Sequence, residues 1–121
     1  MSNAAHAYAR TSQTTTSPRE IEAQALLKAA RQLQDVQANW NGPDSAMHNA
    51  LLFNRRLWSI FMSAAEASEN PQPIEVRQNI ANIGVFVMKQ TIDMQMNPDP
   101  AKLKSLIDIN CNIAAGLAGR R

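Results

Sequence analysis

Four short stretches that carry proline divide this chain: SPRE, NWNGPD, SENPQP and NPDP. Proline has no backbone N–H to donate and its ring collides with the preceding helical turn. It therefore sits in the first turn of a helix or outside helices altogether. The segments between the breaks carry apolar residues at helical spacing. In the first stretch Ser17 is placed to cap a helix, Pro18 to open it and Glu20 to complete a capping box. Leu26, Ala29, Leu33, Val36 and Trp40 then recur three and four residues apart, which predicts a helix over 18–38 with one apolar seam. Gly42 and Pro43 end that run, and Asp44 caps a second helix expected over 45–67. A third is expected from Pro73 to residue 96. It has Val76, Ile80, Ile83 and Val87 on one seam and Ala81, Val85, Met88, Ile92 and Met96 on an adjoining one, an unusually wide apolar arc. Asp99 and Pro100 open a fourth, buried through Leu103, Leu106, Ile107, Ile113 and Leu117, with Gly119 near its end.

Helices of this number, joined by short links, pack mostly on their sequence neighbours. The expected fold is all-α, an antiparallel four-helix bundle over residues 17–121. It follows an arm over residues 1–16 whose polar run TSQTTT shows no apolar period. The opening MSNAAHAYAR, in which Ser-Asn-Ala looks like a cloning remnant, is given no part in the fold. Composition agrees: of 121 residues 45% are hydrophobic but only 5% aromatic, and glycine occurs 4 times, which favours helices over strands.

Composition also narrows function. The formal net charge is +2, with Lys and Arg scattered rather than gathered into a basic stripe, so direct nucleic-acid binding is not expected. The lone Cys111 rules out an internal disulfide framework and reads as a small buried hydrophobe. The chain shows no apolar run long enough to span a bilayer and no signal-peptide core, so a cytoplasmic protein is expected. His6 and His48 have no ligand partners at metal spacing. Asp93 and Asp108 read as solvated carboxylates. With no phosphate loop, nucleophile elbow or buried carboxylate pair, neither enzyme activity nor a cofactor is expected.

Two polar residues stand out. In LFNRRLWSIF the wheel places Asn54 among Met47, Leu51, Trp58, Phe61 and Ala65, while Arg55 and Arg56 point to the flank and back. Asn110 falls inside the apolar arc of the fourth helix. Both are expected to be buried and hydrogen-bonded, fixing helix register as polar core residues do in coiled coils. For binding, the candidate surface comprises Phe86, Met88, Ile92 and Met96 of the third helix, with Met94 beside them, and Leu52 and Arg56 on the back of the second.

Taken in order, AYAR (residues 7–10), SPRE (17–20), NRRLW (54–58) and LIDINCNIAAGL (106–117) resemble the FlaF family of flagellar biosynthesis regulators. The resemblance implies a small cytoplasmic protein needed for flagellin production and export, working with FlbT, a second regulator that acts on flagellin messenger RNA. The resemblance implies a flagellin-binding factor, and the wide apolar face of the third helix, with the second or fourth beside it, is where a terminal segment of unassembled flagellin is expected to be held. The alternative is a post-transcriptional regulator acting through FlbT or the messenger without holding flagellin. An adaptor that dimerises through the third helix is a further possibility.

Overall fold

The computed structural model describes residues 17–119, and the arm expected over 1–16 lies outside them. Four α-helices follow one another: α1 (Pro18–Ala38), α2 (Ser45–Glu66), α3 (Ile74–Met96) and α4 (Leu103–Leu117), the last preceded by a 3-10 turn at Pro100–Lys102. Each start has a local cause. Ser17 Oγ accepts from the Glu20 N–H, Asp44 Oδ1 from Met47, and Asp99 Oδ1 from Ala101. α3 begins one residue after Pro73, which has no side chain to cap with. The fourth helix opens as a 3-10 turn and becomes α-helical only at Leu103.

The helices run up and down. α1 packs most extensively on α4, α2 on α3, and α1 on α2, whereas α3 meets α4 only sparsely. Side chains from one helix tie down the ends of another and set the antiparallel order. Arg77, in the first turn of α3, donates from Nε to Ala65 O (2.7 Å) and from Nη2 to Ala67 O (2.9 Å), satisfying carbonyls at the end of α2 where a cation also complements the helix dipole. At the opposite end Gln37 of α1 donates to Pro100 O, and Gln90 of α3 to Lys102 O.

Leu26, Leu33, Leu51, Trp58, Val87, Leu103 and Leu106 form the centre of the core, all withdrawn from solvent. The Trp58 and Phe61 rings meet edge to face at 5.5 Å. Lys28 of α1 lies over the Phe53 ring of α2, 5.3 Å from its centroid.

α3 departs from its expected pattern. Of its first seam, Ile80, Ile83 and Val87 pack on the core, but Val76 near its start is exposed. Its buried line is Gly84, Val87, Thr91 and Met94. Thr91 turns its hydroxyl back to Val87 O, 2.7 Å away. At Gly84 the Met62 side chain of α2 lies close against the backbone of α3, because a Cβ there would overlap Met62 Cγ and Sδ. Gly84→Ala is therefore expected to destabilise the fold by about 1 kcal/mol, the overpacking exceeding the gain in helix propensity. In a Met62→Ala background the same change should stabilise, and urea unfolding of the four variants checks this reversal of sign.

Candidate functional site

A chain of three side chains crosses the bundle from α2 to α4. Trp58 donates its indole N–H to Asn110 Oδ1 (2.9 Å), and Asn110 donates from Nδ2 to Asn54 Oδ1 (2.6 Å). All three residues are fully buried. Asn54 and Trp58 lie one turn apart on α2, so one amide from α4 reaches both. The Asn54 Nδ2 group ends the chain with no partner. Apart from that Nδ2 the polar groups of the chain are occupied with one another, and all three side chains are closed off from solvent.

The outward surface of α3 is different. Val85 is 45%, Ile92 55% and Met96 73% exposed. At roughly 100° per residue these three fall within about 40° of one another, on the side of the helix away from the core. Ala81 and Met88, both half-buried, border the strip, and Met88 packs against the core. Phe86, 38% exposed, lines a shallow depression with Asn82, Val85, Lys89, Gln90 and Asp93. It lies about 100° round the helix from Val85, one residue on. The expected partner residues thus face two directions, with Met88, Ile92 and Met96 in one and Phe86 in the other, and Val85 adjoins both. Met94 belongs to neither: it is fully buried, a correction to the methionine-bearing surface expected there. The 180° separation of Met94 from Val85 on the wheel follows from their nine-residue spacing and turns it to the core.

On α2, Leu52 is half-buried and Arg56 exposed. Met62 lies opposite Gly84, so ten residues back along α2 and about ten on along α3 bring Leu52 level with the Ile92 and Met96 end of the strip.

Two clefts lie at the ends of the bundle. One, of about 390 Å3, is walled by Asp35, Asn39, Trp40 and Asp44 at the α1–α2 turn. Two of these polar groups serve helix ends: Asn39 donates to Asp35 O and Asp44 accepts from Met47. The other, of about 140 Å3, opens at the opposite end where α3 and α4 part, over Phe61, Ile80, Ile113 and Leu117.

Of the remaining candidates, His48 is exposed, Cys111 is half-buried and free, and Asp108 pairs with Lys104. His6 lies outside the described residues. Asp93 is held below the usual carboxylate range, first by a hydrogen bond from Lys102 Nζ (3.0 Å) and then by that ammonium's charge. Lys102 also donates to Asn97 O at the end of α3. The sequence reading missed Lys102 and Arg77 as helix-end clamps, because neither has a local signature and each acts on a helix other than its own or on its end.

Comparison with known proteins leaves one finding. The family model for flagellar protein FlaF matches residues 4–117. The chain belongs to the FlaF family. It is accordingly a flagellar protein. No curated protein and no solved structure matches it. Within this FlaF chain, NRRLW supplies Asn54 and Trp58, and LIDIN supplies Asn110. Two of the four motifs that carried the resemblance are thus the two halves of the buried chain. Among the described residues no helix is long and apolar enough to cross a membrane.

The order of stability losses tests the buried chain. Asn110→Leu leaves both the Trp58 N–H and the Asn54 amide without partners and should cost roughly 3 kcal/mol. Asn54→Leu removes the unpaired Nδ2 together with its acceptor, leaves only one amide unpaired, and should cost about 1 kcal/mol. Chemical denaturation giving the reverse order would refute the scheme.

Lys102→Met should raise the Asp93 pKa, read by carboxyl NMR titration. Because the folded pKa lies below the unfolded one, the contribution of this pair is present above about pH 4 and is lost as pH falls through the folded value.

Proposed function

We propose that this FlaF protein acts in the cytoplasm by binding, not by catalysis. Its partner in this reading is unassembled flagellin, which it holds as a secretion chaperone, favouring flagellin synthesis and export alongside FlbT. The observation that carries the reading is the strip of Val85, Ile92 and Met96, exposed on a helix whose opposite face is already committed to the core. A helix that is apolar on both faces has one face more than the bundle uses. An amphipathic helical segment laid along α3 would cover the strip, with Met88 at its border and Leu52 level with its far end. Arg56, exposed on the back of α2, would meet carboxylates at the edge of such a segment. Phe86 faces another way and plays a smaller part.

Each apolar side chain covered in this way contributes on the order of 1.5–3 kcal/mol to binding. Val85→Ser with Ile92→Ser, both at exposed positions, should leave the fold intact and weaken flagellin binding about 100-fold by titration calorimetry, equivalent to about 2.8 kcal/mol. Phe86→Ser should weaken it far less. Wild-type binding should show a large negative heat-capacity change, the mark of apolar burial. Capture of FlbT or of flagellin leader RNA, with no binding of flagellin itself, would replace the chaperone by a regulator of flagellin translation.

A further inference from the structure

The cleft at the parting of α3 and α4 has an occupant within reach. Its floor is apolar, formed by Phe61, Ile80, Ile113 and Leu117. Its rim carries Arg19 and Glu22 of α1, so the chain passes into its first helix beside the cleft. Ahead of Ser17 lie residues 1–16, where the sole tyrosine of the protein, Tyr8, stands in AYAR. We propose that residues 7–10 fold back onto this cleft and seat the Tyr8 ring on its floor, with Arg10 beside Glu22.

Four observations support this assignment. The first is reach: Tyr8 is nine residues before Ser17, a span of up to about 30 Å when extended, so a bent segment returns to the end of α1 with length to spare. The second is size. A cleft of about 140 Å3 suits one large side chain better than a whole helix, and Tyr8 is the one aromatic residue ahead of Ser17. Gln72 stands at the cleft and offers its side-chain amide to a phenol hydroxyl, while the Asn70 amide is engaged with Ala64 O and the Gln72 N–H. Charge is the third: among the described residues Glu22 makes no salt bridge, and Arg10, two residues after Tyr8, brings a guanidinium. The fourth is that the FlaF family model takes in residues 4–16 together with the bundle, so that segment is part of the pattern by which the chain is recognised. Tethering makes a modest site effective, because a linked segment sits at an effective concentration on the order of millimolar.

Fluorotyrosine labels Tyr8 alone, and fluorine NMR of the full chain with a soluble paramagnetic quencher tests the proposal. In the native protein the Tyr8 resonance should lie away from its position in urea and be quenched several-fold more slowly. Leu117→Gln, at the half-buried end of α4, should return both readings to the unfolded values while circular dichroism keeps the helical signal. A wild-type resonance at the unfolded position, quenched at the unfolded rate, would overturn the proposal. So would protection that survives both Leu117→Gln and Ile80→Gln, or protection that rises with protein concentration, which would assign the cleft to the arm of a second copy. The experiment contains no flagellin, so its failure leaves the reading of the α3 strip untouched.

Discussion

The hydrogen-bonded chain Trp58–Asn110–Asn54 is the constraint on which this bundle turns. Apolar faces attract without direction, and a helix can slide or rotate against its neighbours at modest cost while its leucines stay covered. Buried amides cannot, since each must find its partner at hydrogen-bond distance or lose on the order of 1–3 kcal/mol. By pinning α2 to α4 across the interior, the chain specifies one register for the pair. Neighbours then follow: α1 fills the angle between α2 and α4 with its leucines, and α3 is left to attach from the outside, on α2.

That attachment explains the surface. α3 is held by a close approach at Gly84, by Arg77 on the last carbonyls of α2, and at its other end by Gln90 on Lys102 O and by Lys102 on Asp93 and Asn97. Most of these clamps are polar and local, and they leave the helix in sparse contact with α4. A helix so placed buries a narrow line of side chains, and the rest of its wide apolar arc stays in water. Exposure of Val85, Ile92 and Met96 and the cleft over Ile80 and Ile113 are two consequences of the same geometry.

Much of the fold was legible before any coordinates. α1 spans the residues that its capping signal and seam predicted, α2 ends one residue earlier than expected, and Asp44 and Asp99 cap where their positions indicated. These features are local: a cap or a proline acts within one turn. The polar faces of Asn54 and Asn110 could be excluded by the wheel, because a residue flanked at three and four positions by core side chains shares their face. Nothing local indicated that Trp58 would complete the chain. The helix-end work of Arg77 and Lys102 was equally hidden. On α3 the wheel offers two adjoining apolar seams; the first, continued seven residues beyond Val87, reaches the buried Met94, whereas Val76 at its start is exposed.

The sequence by itself determined the number of helices, their ends, and which face of α1, α2 and α4 turns inward, since each of these depends on periodicity and on chemistry within a few residues. Tertiary structure alone decided which of the apolar faces of α3 is buried, how far α3 stands from α4, and which distant side chains serve as one another's hydrogen-bond partners. Those outcomes depend on how four helices share a limited interior. A helix that can bury either of two faces buries the one its neighbours leave room for.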